Sequence, residues 1–192
     1  TYAVSTFDRE YPKDVLEYKG YNKEFTLQGT YHYLPNDFLM IGFNTLNTKD
    51  TISAESLDSK GAFITNTNRF GNLILTQSLR HDSYDEFDDE TTGKVGAKYF
   101  LTDDITLSSN YGTAYRTPSL DELYSPWGGN PDLEPEKTKS FDATFSVNDL
   151  SFTYYNNLVD NLIQYDLYTW SNTQVSGKSR IKGYEVRYNN TF

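Results

Sequence analysis

Residues 125–147 read SPWGGNPDLEPEKTKSFDATFSV. The two ends of this stretch obey different rules. Its first eleven residues hold three of the chain's six prolines, a Gly-Gly pair and one of its two tryptophans. Its last eight alternate: Phe141, Ala143, Phe145 and Val147 form one row, and Asp142, Thr144 and Ser146 the other. An apolar row opposite a polar row is the pattern of a strand with two different surroundings. A stiff, proline-fixed loop therefore runs directly into a strand.

The same period of two recurs along the chain, and helical periodicity is almost absent. In YNKEFTLQGTYHY, Phe25, Leu27, Gly29, Tyr31 and Tyr33 oppose Glu24, Thr26, Gln28, Thr30 and His32. In ITLSSNYGTAYR, Ile105, Leu107, Tyr111 and Tyr115 oppose Thr106, Ser108, Asn110 and Arg116. Tyr184, Val186, Tyr188 and Phe192 oppose Glu185, Arg187, Asn189 and Thr191. The runs FLMIGF and NLILTQSL are apolar on both rows at their starts, so their phase stays open. Short turn signals at Pro35-Asn36-Asp37, Gly71-Asn72, Thr102-Asp103-Asp104 and Asn148-Asp149 fit hairpins. Long polar connections fall between them, around 50–60, 82–92, 118–136 and 170–178. About ten strands result, from near Tyr2 to Phe192.

Short turns at one end, long loops at the other and one aromatic-rich face define an antiparallel transmembrane β-barrel, an all-β fold. Roughly 9–11 residues suffice for each crossing. A soluble β-sandwich is the alternative, with shorter strands and more even turns.

Composition agrees with a barrel and excludes several functions. The 192 residues carry 17 Tyr and 12 Phe, yet mean hydropathy is −0.69. Aromatics suit a pleated surface, while polar lumen rows and outer loops lower the mean. A net charge of −10 opposes nucleic-acid binding. The absence of cysteine excludes a disulfide framework or thiolate metal site within these residues. TYAVSTFDR at the start is strand-like and lacks an initiator Met or signal peptide, as expected of a processed chain or an excised piece.

Pro118, Pro126, Pro131 and Pro135 fix φ at four points of the quoted loop, and Gly128-Gly129 permits a turn between them. An ordered rim element is expected on the long-loop side. Here the sequence resembles the TonB-dependent outer-membrane receptors. YGTAYRTPSLDELY, GNPDLEPEKTKSFD, YYNNLVDNLIQYD and GKSRIKGYEVRYNN follow one another in the family's order over roughly residues 72–190. VDNLIQYD and SRIKGYEV are most similar to the cobalamin receptor branch, and siderophore and haem receptors carry close variants.

The resemblance implies a Gram-negative outer-membrane location and a larger barrel of about 22 strands, of which residues 1–192 are one segment. It implies active uptake of a scarce, bulky nutrient, cobalamin or a ferric siderophore or haem, driven by the TonB complex acting on a plug. No plug-like segment or TonB box is recognisable in these residues. Lipopolysaccharide and outer-membrane lipid are the further expected partners. The alternatives are a small structural or adhesive barrel and an omptin-like hydrolase. For the hydrolase, His81-Asp82 with Asp85 close by could activate water, but sequence neighbours on a strand point to opposite faces, and His32 lies on a different strand. A non-enzyme is the expectation.

Arg116, Tyr124, Trp127 and Tyr115 are the ligand-binding candidates, because aromatic surface and a guanidinium suit a bulky, partly anionic molecule. Tyr115 lies on the outward row, where an aromatic girdle is the simpler role, and Arg116 on the inward row. Asn130, Pro131, Leu133, Pro135 and Glu136 match the family motif as architectural residues. HDSYDEFDDE, residues 81–90, packs six carboxylates into ten positions. Asp82, Asp85, Asp88 and Asp89 are therefore candidates for calcium, which takes flexible carboxylate ligands. A solvated hairpin is the other reading. Inward charges Glu24, Lys98, Asp142, Glu185 and Arg187 are expected to find partners in the lumen.

Overall fold

Tight turns set the register. Val147 pairs with Leu150 and Phe70 with Leu73, leaving the two-residue turns Asn148-Asp149 and Gly71-Asn72. Asn148 (φ 48°) and Gly71 (φ 59°) take the left-handed conformation such reversals require. The computed structural model describes residues 2–10, 17–50 and 53–189; Phe192 and Thr191 lie outside them.

The strands are β1 (Tyr2–Glu10), β2 (Glu17–Leu34), β3 (Asp37–Asp50), β4 (Ser56–Phe70), β5 (Leu73–Tyr84) and β6 (Glu90–Phe100). They continue with β7 (Ile105–Arg116), β8 (Glu136–Val147), β9 (Leu150–Asp160), β10 (Ile163–Asp166), β11 (Ser171–Gln174) and β12 (Lys178–Tyr188). One five-residue helix, α1 (Leu120–Tyr124), follows β7. A ten-stranded antiparallel sheet runs in chain order from β1 to β9 and then to β12. β10 and β11 pair only with each other, as a hairpin inserted between β9 and β12. β1 and β12 are the edges and do not pair, so these strands form an open sector of barrel wall.

Three expected loop boundaries move. β3 and β4 stay paired to Lys49 opposite Ser56, and β5 and β6 to Asp82 opposite Glu90. The connections there are much shorter than the polar composition suggests, because polar residues continue the paired strands. The stretch 170–178 contains β11, and the motif VDNLIQYD is divided between β9 and β10.

Pairing resolves the faces. Leu27 lies opposite Phe43, Ile41 opposite Ile64, Ile64 opposite Leu79 and Val95 opposite Tyr111. Tyr111 in turn lies opposite Phe141, and Phe145 opposite Phe152. This row also phases FLMIGF through Leu39, Ile41 and Phe43. The other face joins hydroxyls and amides: Thr144 meets Thr153 at 2.8 Å, and Asn110 donates to Asp142 at 2.9 Å. One face therefore suits lipid and the other water. On the polar face the tip of the Phe63 ring reaches over Gly42, where a Cβ would overlap it.

The inward charges are partnered in varied ways. Arg187 donates to Glu185 at 2.7 Å, Lys98 sits 5.0 Å from the Phe100 ring centre, and Glu24 accepts from Thr26 at 3.1 Å.

Candidate ligand-binding rim

The loop between β7 and β8, residues 117–135, is held by a small core and one arginine. Leu120, Leu123 and Leu133 are buried, and Pro118 is fully enclosed. Ser119 begins α1 with a reciprocal cap. Its hydroxyl accepts from the Glu122 N–H at 3.2 Å, and Glu122 accepts from the Ser119 N–H at 2.8 Å. The sequence reading did not anticipate this helix; the S-L-D-E run is the local signal that could have found it.

Arg116, last in β7, lies on the polar row opposite Glu136. Its guanidinium donates to both Glu136 oxygens (2.9 and 2.8 Å) and both Glu122 oxygens (2.9 and 3.2 Å). Two forked pairs thus tie the ends of the loop to α1. Burial alone would raise the Glu122 pKa. The bonds from Arg116 and Ser119 outweigh it and hold the carboxyl below the ordinary range. A ligand that reached Arg116 would first have to displace a carboxylate.

The β10–β11 hairpin is locked to the same loop. Asn130 donates to the Asn172 carbonyl at 2.9 Å, and the Asn172 N–H donates to the Gly128 carbonyl at 2.7 Å. Gln174 donates to the Glu134 carbonyl at 2.6 Å, and Tyr165 donates to the Trp127 carbonyl at 3.2 Å. Gly128 (φ 108°) sits so close to the Trp170 carbonyl that a Cβ would collide with it. The motif residues Asn130, Leu133 and Glu136 thus join loop, hairpin and wall. Pro131 and Pro135 line a cleft of about 440 Å³ on the flank of the loop, with Tyr115 and Lys137.

The candidates occupy different places. Tyr115 packs against Tyr84 (ring centres 5.4 Å apart) with the Lys137 ammonium 5.7 Å from its ring centre. Tyr124 is half-buried on α1; desolvation first, then Glu86 and Glu55, raise its pKa. Trp127 is 54% exposed. The sequence reading missed the hairpin tip, where Leu167 is 72%, Tyr168 96% and Trp170 71% exposed. Trp170 takes φ 53°, rare for a bulky residue. The cluster L-Y-T-W was legible as an aromatic group inside a polar connection.

The four aspartates do not converge. Asp82 is buried on the polar face and pairs with Arg80 (Nε to Oδ2, 2.6 Å), which also donates to Asn44 at 2.8 Å. Asp85 accepts from the Asp58 N–H at 2.9 Å, Asp89 accepts from Ser83 at 2.7 Å, and the Asp88 carbonyl faces Tyr115. Among the described residues no three His, Asp or Glu side chains are grouped to hold a metal ion. His81 contacts Thr91 on the outward row while Asp82 faces inward, so the pair cannot act together on water.

A model of the TonB-dependent receptor-like β-barrel matches residues 2–192. The vitamin B12 transporter BtuB of Vibrio vulnificus is 31% identical over 134 residues, which are 68% of this chain and 21% of the transporter. BtuB of Photobacterium profundum is 28% identical over 69% of this chain and 24% of its own length. Among solved structures, the copper transporter OprC superposes on all of this chain and 40% of its own (TM-score 0.74, 19% identity). The siderophore receptor PirA of Pseudomonas aeruginosa superposes on 88% of this chain and 39% of its own (TM-score 0.67, 18% identity). The chain spans about a fifth of the length of the BtuB relatives. These relatives are transporters and receptors, not enzymes. The chain belongs to the TonB-dependent receptor-like β-barrel family.

Proposed function

We propose that these residues form wall and outer rim of an outer-membrane receptor that takes up a bulky nutrient, with cobalamin the first candidate. The observation that carries this reading is the rim itself. Trp127, Tyr168 and Trp170 are exposed on a loop–hairpin unit that a core, a double carboxylate clamp and several cross-links hold rigid. Exposed aromatics on a preorganised surface lower the ordering cost of binding. The left-handed Trp170 adds local strain of the kind concentrated at functional sites.

Cobalamin is favoured over a ferric siderophore or haem because the BtuB relatives are named for vitamin B12 transport and reach 31% identity. In this reading the sector is completed by further strands that pair with the edges β1 and β12. The TonB complex acts on a plug carried elsewhere in the protein. Arg116 shapes the rim rather than meeting cargo, and Trp127 and the hairpin tip meet it.

The test is equilibrium binding of cyanocobalamin, a ferric catecholate and haem to the full-length receptor in outer-membrane vesicles. Saturable cyanocobalamin binding that falls about tenfold or more in Trp127→Ala/Trp170→Ala is expected, in line with aromatic hot spots. Binding of the other two alone would reassign the cargo. Binding of none would remove the receptor reading.

A further inference from the structure

The sector β8–β9–β12 is paired without interruption, so each cross-strand row marks one height of the wall. On the lipid-suited face the rows ascend from the short-turn end as Val147–Leu150–Tyr188, Phe145–Phe152–Val186 and Ala143–Tyr154–Tyr184. The next row is Phe141–Asn156–Lys182, then Lys139–Leu158–Arg180, then Lys137–Asp160–Lys178. The lower rows are apolar. Phe141, Tyr154 and Tyr184 form an aromatic ladder with ring centres 6.5 and 5.2 Å apart. From the Phe141 row upward, every row carries a cation.

Two of these cations are committed: Lys137 to Glu90 (2.6 Å) and Lys178 to Asp160 (3.6 Å). Lys139, Arg180 and Lys182 are exposed and have no hydrogen-bond, ion-pair or ring partner among the described residues. The opposite face at these heights holds Thr138, Ser140, Asn157, Val159, Ser179 and Ile181, with no charge at all. In a chain of net charge −10, five of 17 basic residues thus sit on one face of three neighbouring strands, at the top of the aromatic belt and just above it. Aromatic belts mark the membrane–water interface, so these cations stand where headgroups stand.

The geometry points to a binding site for the phosphates of an outer-leaflet lipid headgroup, formed by Lys139, Arg180 and Lys182. Lys139 and Arg180 lie two strands apart, about 10 Å, and Lys182 one row lower, about 7 Å along the strand. That triangle suits a headgroup with two phosphates better than one. Arg180 supplies a planar fork for a phosphate, and the lysine stems reach along apolar surface to place their ammonium groups. Such a lipid would anchor this sector in the outer leaflet, independently of the cargo at the rim.

The experiment is native mass spectrometry of the full-length receptor in detergent, titrated with diphosphorylated lipid A. Monophosphorylated lipid A, phosphatidylethanolamine and soluble pyrophosphate are the comparators. Diphosphorylated lipid A should bind best, and Lys139→Gln/Arg180→Gln/Lys182→Gln should lose roughly a hundredfold in affinity, on the order of fivefold per cation. Lys139→Arg/Lys182→Arg should bind within about twofold of the parent, since it keeps the charges. If the triple variant fails to assemble, as judged by heat-modifiable migration, the single Lys139→Gln variant should still lose about fivefold. Unchanged affinity in whichever of these Gln variants assembles would overturn the site, as would no retention of lipid A by the parent. Pyrophosphate competing as well as lipid A would assign the patch to free polyanions instead. Unaltered cyanocobalamin binding by the Gln variants separates the lipid site from the rim.

Discussion

The wall and the rim bury apolar surface by opposite means. In the wall, Leu27, Leu107, Phe145, Phe152 and Val186 are all left uncovered by the rest of the chain. Their burial comes from lipid, and the sheet holds through backbone pairing and the hydroxyl and amide contacts of its polar face. In the rim, Pro118, Leu120, Leu123 and Leu133 are all shielded from water by the chain itself, within about twenty residues. A barrel sector needs no protein core where the bilayer serves as solvent. A rim standing in water must carry its own.

The largest expected effect tests the wall. Phe145→Arg places a charge near mid-bilayer and should cost up to about 4 kcal/mol, while Thr144→Arg, one residue away, should be tolerated. Urea titration of the full-length receptor in vesicles compares them, and equal losses would erase the distinction between faces. Next comes the rim core. Leu123→Ala should cost about 3 kcal/mol of loop stability through transfer and cavity losses. Limited proteolysis should show faster cleavage within 117–135 and an unchanged barrel band. Arg116→Met leaves Glu122 and Glu136 facing each other without a counter-ion. Proteolysis of the same loop should accelerate by roughly tenfold, less than for Leu123→Ala, because both carboxylates retain access to water.

The smallest effect concerns pH. The Glu122 carboxyl is held lower in the folded rim than in an unfolded loop. Its contribution is therefore complete above the ordinary carboxylate range and is lost as pH falls through the lower folded value. Hydrogen exchange of the α1 amides should rise relative to the wall on acidification, and Glu122→Gln should flatten that dependence. An identical profile in the variant would remove Glu122 from the explanation.

The wall was largely legible in the sequence because alternation at period two is set residue by residue. Phe141, Ala143, Phe145 and Val147 fall on the lipid-suited face as their spacing implies, and Arg116 falls inward. The two-residue turns at Gly71 and Asn148 were readable for the same local reason. What escaped reading depends on partners distant in the chain. β10 has four residues, too few for a periodic signal, and exists because Ile163 to Asp166 meet Ser171 to Gln174. The dispersal of Asp82, Asp85, Asp88 and Asp89 likewise follows from strand register. Continued pairing of β5 with β6 places Asp82 inside with Arg80 instead of in an acidic outer loop. The Arg116 clamp joins three segments that only the folded loop brings together.

One direct test of the two-solvent arrangement uses site-directed spin labels, with any cysteine outside these 192 cysteine-free residues first replaced by serine. Single cysteines introduced at 150–160 along β9, and at 120 and 123 in the rim, would be spin-labelled in the full-length receptor reconstituted in bilayers. Collision rates with oxygen and with a water-soluble nickel chelate would then be compared. Labels at 152 and 154 should favour oxygen, those at 153 and 155 should not, and those at 120 and 123 should be shielded from both reagents. Loss of the alternation along β9, or free access of the nickel chelate to 120 and 123, would contradict a lipid-solvated wall beneath a self-packed rim.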